Sequence, residues 1–166
     1  MRIEITKGER NERITIQRRD GTRADTVFPK KGPVPHDAVH WFVECELGLS
    51  HGFWGMVADG VHPEDIAEIA KAAGHASAKR AGTPSAEIVE LLQAERIVEC
   101  FEADLWSGGG RAQDLIGLAA TACGYSAVPL PAIDVDAVER IQFGIAVFAE
   151  EWAAAPQGHV AVLEWE

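Results

Sequence analysis

Apolar and polar positions alternate at both ends of the chain and follow a helical period between them. Arg2-Ile3-Glu4-Ile5-Thr6 and the run from Glu12 to Arg18 place isoleucine at every second position, so each reads as a strand with one buried and one wet face. Gly8 and Asn11 supply a turn between them, and Asp20-Gly21 is a hairpin signal leading into a third extended run over 22–28. His159 to Trp165 alternates again and is expected to return to this meander. Pro29 to Pro35 holds three prolines and Gly32, which excludes regular structure and fixes where the next element begins.

That element is a helix over 35–47. Pro35 suits a first helical position, and Asp37 complements the positive end of the dipole. At about 100° per residue, Val39, Val43 and Leu47 form an apolar stripe, while Ala38, Trp41, Phe42 and Cys45 cover most of the remainder. A helix apolar nearly all round belongs at the centre of a fold. Gly48 to Gly55 is a glycine-punctuated connection carrying Phe53 and Trp54, whose aromatics read as core, followed by a short helical turn over 56–59.

Pro63 opens a helix expected to dissolve near Gly74, with a basic tail ending at Lys79-Arg80. Ser85 is expected to cap a long helix over 86–106, which Ser107-Gly108-Gly109-Gly110 stops. An alanine-rich helix follows over 111–123. Asp134 caps the last one, to about 154, with Val138, Ile141, Ile145, Phe148 and Trp152 as its core-facing stripe. The predicted fold is α+β: an antiparallel sheet of three or four strands, made of the N-terminal meander and the C-terminal strand, packed with about five helices. One domain spans 1–166, with the meander at 1–28, the helical part at 35–154 and the returning strand at 159–165.

Composition narrows the function classes. The apolar fraction of 47% over 166 residues is enough for a sizeable single core. A formal charge of -11 excludes a nucleic-acid partner, which needs clustered cations. The one basic cluster, Arg18, Arg19, Arg23, Lys30 and Lys31, is diluted by Asp20 and Asp25 and reads as a solvated sheet edge. No run approaches the roughly 20 apolar residues of a membrane span. The start alternates like a strand rather than forming a leader, so a cytoplasmic setting is expected. Cys45, Cys100 and Cys123 sit in apolar helical patterns and are expected to be buried, reduced thiols. No small-molecule or protein partner is identified, and homo-oligomerisation is left open.

Candidate chemistry lies on the two central helices. His36, His40 and Glu44 fall on one line along helix 35–47, and buried polar groups must find partners, of which a metal ion is one. Residues i and i+4 are about 6 Å apart, so His36 and His40 can chelate one ion, whereas Glu44 lies about 12 Å from His36. Either the two histidines share an ion with a glutamate of the long helix, or His40 and Glu44 do.

On the long helix, Glu99 lies about 40° and Glu102 about 20° from Glu95, so a carboxylate row interrupts the apolar stripe of Ile88, Leu91, Leu92, Val98 and Trp106. Packed on the histidine line, this face builds a site between helices. The opposite face of Ala94, Ile97 and Phe101 could be buried instead, leaving the acids in water or paired with Arg96 or Arg111. The candidate ligands for a divalent metal, zinc first, are His36, His40, Glu44 and Glu99, with Asp37 or Glu95 orienting water. His51, His62 and His75 are further candidates that nothing selects among.

His36-Asp37-Ala38-Val39-His40 is similar to the zincin pattern H-E-x-x-H, in which both histidines hold zinc and the acid activates water. It departs from that pattern in having aspartate for glutamate and in lying at a helix start behind Pro35, so it supports a metal pair and not peptidase activity. The run from Phe28 through Pro29, Gly32, Pro33, Pro35, His36, Asp37 and His40 to Glu44 resembles small bacterial proteins with no assigned activity. Two functions stand: a metal-binding protein or small metal-dependent hydrolase with a His/Glu site between helices 35–47 and 86–106, or a non-enzymatic binding module with a buried His–carboxylate network.

Overall fold

The computed structural model describes residues 1–72 and 84–166. The expected stop near Gly74, the basic tail at Lys79-Arg80 and His75 lie outside them. Strands β1 (Arg2–Lys7), β2 (Asn11–Gln17), β3 (Arg23–Pro29) and β4 (Val160–Glu164) form one antiparallel sheet in the order β3-β2-β1-β4. The C-terminal strand returns to the meander as expected, and its neighbour there is β1. Period two dictates the register, with Ile3 opposite Ile16 and Ile5 opposite Ile14, and all four isoleucines are fully buried. The same inner face continues to Glu12 and Thr26, polar positions where the pattern calls for apolar ones.

Six α-helices accompany the sheet among the described residues: α1 (His36–Leu47), α2 (Phe53–Ala58), α3 (Pro63–Ala72), α4 (Val89–Ser107), α5 (Ala112–Tyr125) and α6 (Val135–Ala154). The fold is thus α+β. One core cluster joins the sheet isoleucines to Val39 and Val43 of α1, Trp54 and Val57 of α2, and Ile97 and Val98 of α4. Helix α1 is central, packed on α2, α4 and α6.

Local chemistry sets most of the boundaries. Asp134 caps α6 by accepting from the Ala137 amide at 2.8 Å. Gly48 ends α1 with φ 64°, a left-handed conformation that glycine enters without a Cβ clash. Pro35 sits one residue before α1. Ser85 precedes a short 3₁₀ turn, Ala86–Ile88, without a side-chain capping bond, so α4 begins only at Val89.

Two expectations are corrected. Arg18 is not a free edge cation, because its guanidinium donates to the Val57 and Val61 carbonyls at 2.5 and 2.9 Å and ties β2 to the α2–α3 connection. Cys100 and Cys123 are buried free thiols, but Cys45 is exposed: it lies on α1 away from the packed stripe. No helix among the described residues is long and apolar enough to cross a membrane.

Candidate metal centre

His36 and His40 occupy successive turns of α1, with ring centroids 4.7 Å apart in an edge-to-face arrangement. Helix α4 passes beside them in the opposite direction. Its Glu95 sets one carboxylate oxygen, Oε2, 3.2 Å from His40 Nε2 and 3.8 Å from His36 Nε2. The other ring nitrogens are held from behind. His36 Nδ1 lies 2.9 Å from Glu102 Oε1, and His40 Nδ1 lies 2.8 Å from Glu44 Oε1. With an Nδ1–H donated to each of those carboxylates, both Nε2 atoms face Glu95, as N–H donors while the rings are protonated and as lone pairs open to a metal ion once they are not. One ligand atom each from His36, His40 and Glu95 falls within 4.8 Å of the others, close enough to hold one metal ion.

The row of acids on α4 is divided by how the helix is rotated. Ala94, Ile97 and Phe101 are buried, and so are Leu91, Leu92 and Val98, so the core takes both faces that the sequence offered. Glu95 and Glu102 stand at the margin of this broad face, on the side of α1. Glu99 is turned away and pairs with Arg96 at 2.8 Å, outside the convergent group. Glu95, expected to orient water, is the acid that groups with the two histidines.

Glu44 also takes a different place from the ligand position expected of it. It is fully buried, and Oε1 accepts from the Phe53 amide at 3.0 Å as well as facing His40, while Oε2 accepts from the Trp54 amide at 2.9 Å. With both oxygens occupied, Glu44 orients His40 and fastens the start of α2 to α1. Trp54 reinforces this joint by donating its indole N–H to the Asp37 carbonyl at 2.9 Å. His51 lies outside the group, beside Ser50 and with its Nδ1 3.5 Å from Glu90 Oε2, which also accepts from its amide at 2.6 Å, and His62 accepts from the Glu64 amide.

Charge follows geometry. Burial works against a proton on His40, but the Glu44 and Glu95 carboxylates overcome it and push the pKa up to about 10. His36 is raised as well: burial again opposes, and Glu102 and Glu95 prevail. Glu95 is held well below the usual carboxylate range, the two imidazoles outweighing its burial.

The histidines and Glu95 open onto a cavity of about 500 Å³, a size suited to a small molecule. Phe28, Phe53, Ile66, Leu91 and Leu92 give it apolar walls, and Asp37 and Glu12 line it as well. Burial raises the carboxyl of Asp37. Burial, then the charge of Asp37, pushes that of Glu12 up to about 7. Glu12 was open to detection in the sequence, because it shares the phase of Ile14 and Ile16 along β2. The peptide N–H groups of Phe53 and Trp54 carried no such signal, since a backbone donor looks the same in every sequence.

Comparison with protein-family models, with curated proteins and with solved structures gives no match, and the functional reading therefore stands on the chemistry of these side chains.

Proposed function

We propose that His36, His40 and Glu95 bind one divalent metal ion, zinc first, and that the protein acts as a small metal-dependent hydrolase on a molecule held in the adjoining cavity. The observation that carries this reading is the convergence of two imidazole Nε2 atoms on one carboxylate oxygen, each ring braced at Nδ1 by a further carboxylate. Braced imidazoles are the usual outer arrangement of metal-ligating histidines. Two histidines and a glutamate leave a zinc coordination position for water or substrate, and zinc lowers the pKa of such a water toward neutrality. Asp37, in the first turn of α1 and on the wall of the same cavity, is the group of this chain placed to orient that water.

One observation favours a second reading, a non-enzymatic module. His40 has a carboxylate partner at each ring nitrogen, so an imidazolium satisfies this buried network without any metal. Metal analysis separates the two. Protein purified without an affinity tag and loaded with zinc should retain about one ion per chain after desalting, and Glu95→Gln or His36→Gln should abolish retention. Retention that survives both substitutions, or no retention by the unaltered protein, overturns the metal centre and leaves the network.

A further inference from the structure

Besides Glu95, three carboxyl groups line the cavity: Glu64, which accepts from the Thr26 hydroxyl at 2.9 Å, and Glu12 and Asp37, neither of which is a ligand in the proposed metal centre. Glu12 reaches it from β2 and Asp37 from α1. They are 3% and 6% exposed, and among the described residues neither accepts a hydrogen bond from another residue's side chain or amide. The charges that reach Glu12 are Asp37, which repels, and Lys30; those that reach Asp37 are His36, His40 and Lys31. None of these cations closes an ion pair with either acid among the described residues. A buried carboxylate left this way costs several kcal/mol unless it is neutralised or given a donor.

The surrounding wall decides what kind of donor fits. Phe28 lies directly across the sheet ladder from Glu12, so an aromatic ring neighbours the acid on the same face. Aromatic faces attract organic cations, and apolar walls reward a ligand with a hydrocarbon body. A second hard metal ion would require several converging oxygen ligands, and among the described residues Glu12, Asp37 and Glu64 do not form such a group. Lys31 and Arg96 also line the cavity. Arg96 pairs with Glu99 through Nη1 while its Nε has no partner among the described residues, so an anionic ligand is the alternative that the test has to separate.

We propose that the cavity between β2, α1 and α4 binds an organic ammonium ion with an apolar body, its charged head held between Glu12 and Asp37. As a substrate class this rests on the metal-centre reading; as a binding site it does not. The carboxyl of Glu12, pushed up to about 7 by burial and by Asp37, is in keeping with a site whose compensating charge arrives with the ligand.

Titration calorimetry on the full chain with benzylamine tests it, with benzyl alcohol and phenylacetate as probes of the same ring without the positive charge. Chelator-treated protein should bind benzylamine at one site and the other two much more weakly. Glu12→Gln, which removes the charge at nearly constant volume, should weaken benzylamine about tenfold, and Glu150→Gln, exposed on α6 and outside the cavity, should leave it unchanged. Asp37→Asn reads the same way and serves where circular dichroism shows Glu12→Gln to be unfolded. Equal binding of benzylamine and benzyl alcohol, preference for phenylacetate, or unchanged affinity in both variants overturns the proposal. So does a second zinc ion per chain that Glu12→Gln removes. Amine binding without zinc retention removes only the metal centre, and zinc retention without amine binding removes only the ammonium site.

Discussion

At the scale of single residues, the site depends on a position that carries no side chain. A Cβ built on Gly52 would lie 2.5 Å from Glu44 Oε2 and 2.6 Å from Glu44 Cδ. The backbone there is unstrained, with φ -71°, so the requirement is for space alone. Gly52→Ala therefore has to displace the carboxylate that orients His40 and accepts the Phe53 and Trp54 amides. A stability loss of about 2 kcal/mol is expected, in the range of overpacked cores and against the small gain that removing a glycine usually brings. Urea unfolding measures it, with Gly117→Ala as a control, since nothing lies within 4 Å of that added methyl. A Gly52→Ala protein as stable as the control would mean that Glu44 is not held as described. Nothing in the sequence marked Gly52 as special, because its neighbour is a side chain eight positions earlier on another element.

At the scale of elements, the strands and helices were legible because each has its own period. The isoleucine alternation placed β1 and β2, Asp134 placed α6, and the proline run fixed the start of α1. The candidate metal centre was legible in part. Helical geometry put His36 above His40, and the same geometry grouped Glu95, Glu99 and Glu102 within an arc of about 60°. What it could not supply was the rotation of α4 about its own axis. That angle is set by Ala94, Ile97 and Phe101 entering the core together with Leu91, Leu92 and Val98, and it turns Glu99 toward Arg96 while leaving Glu95 and Glu102 on α1. The two helices are also far apart in the chain, so no local pattern records their pairing. The division of labour among the acids leads to a prediction. Glu102→Gln loosens the brace on His36 and should weaken zinc 10–100-fold, the usual effect of losing an outer partner, while Glu99→Gln leaves the affinity unchanged. Competition with a chromophoric chelator measures both constants, and equal losses in the two variants would refute the assignment of Glu102 as the brace.

At the scale of the whole molecule, the cavity draws on the stability of the fold. Glu12 stands on the inner sheet face in line with Ile14 and Ile16, where an apolar side chain would normally be, and its carboxyl is pushed up to about 7 by burial and by Asp37. An unfolded chain restores the ordinary value of 4.5. The native state thus binds the proton more tightly than the unfolded one, and linkage gives the sign. The stabilisation is fully present below about pH 4.5, declines as pH rises toward 7, and is lost above it. Comparing the protein with Glu12→Gln at each pH cancels the other titrating groups to first order. At pH 5 the two should be nearly equally stable, and at pH 8 the variant should be the more stable by about 2 kcal/mol, a value kept below the full shift to allow for relaxation around the charge. Urea unfolding at the two pH values, on chelated protein without amine, reads the difference directly. A gap of the same size at both would show that Glu12 is ionised throughout and already compensated, and the cavity would then have no unmet charge. A gap that opens with pH, and that benzylamine narrows by binding only the unaltered protein, ties the cost of this acid to the ligand it awaits.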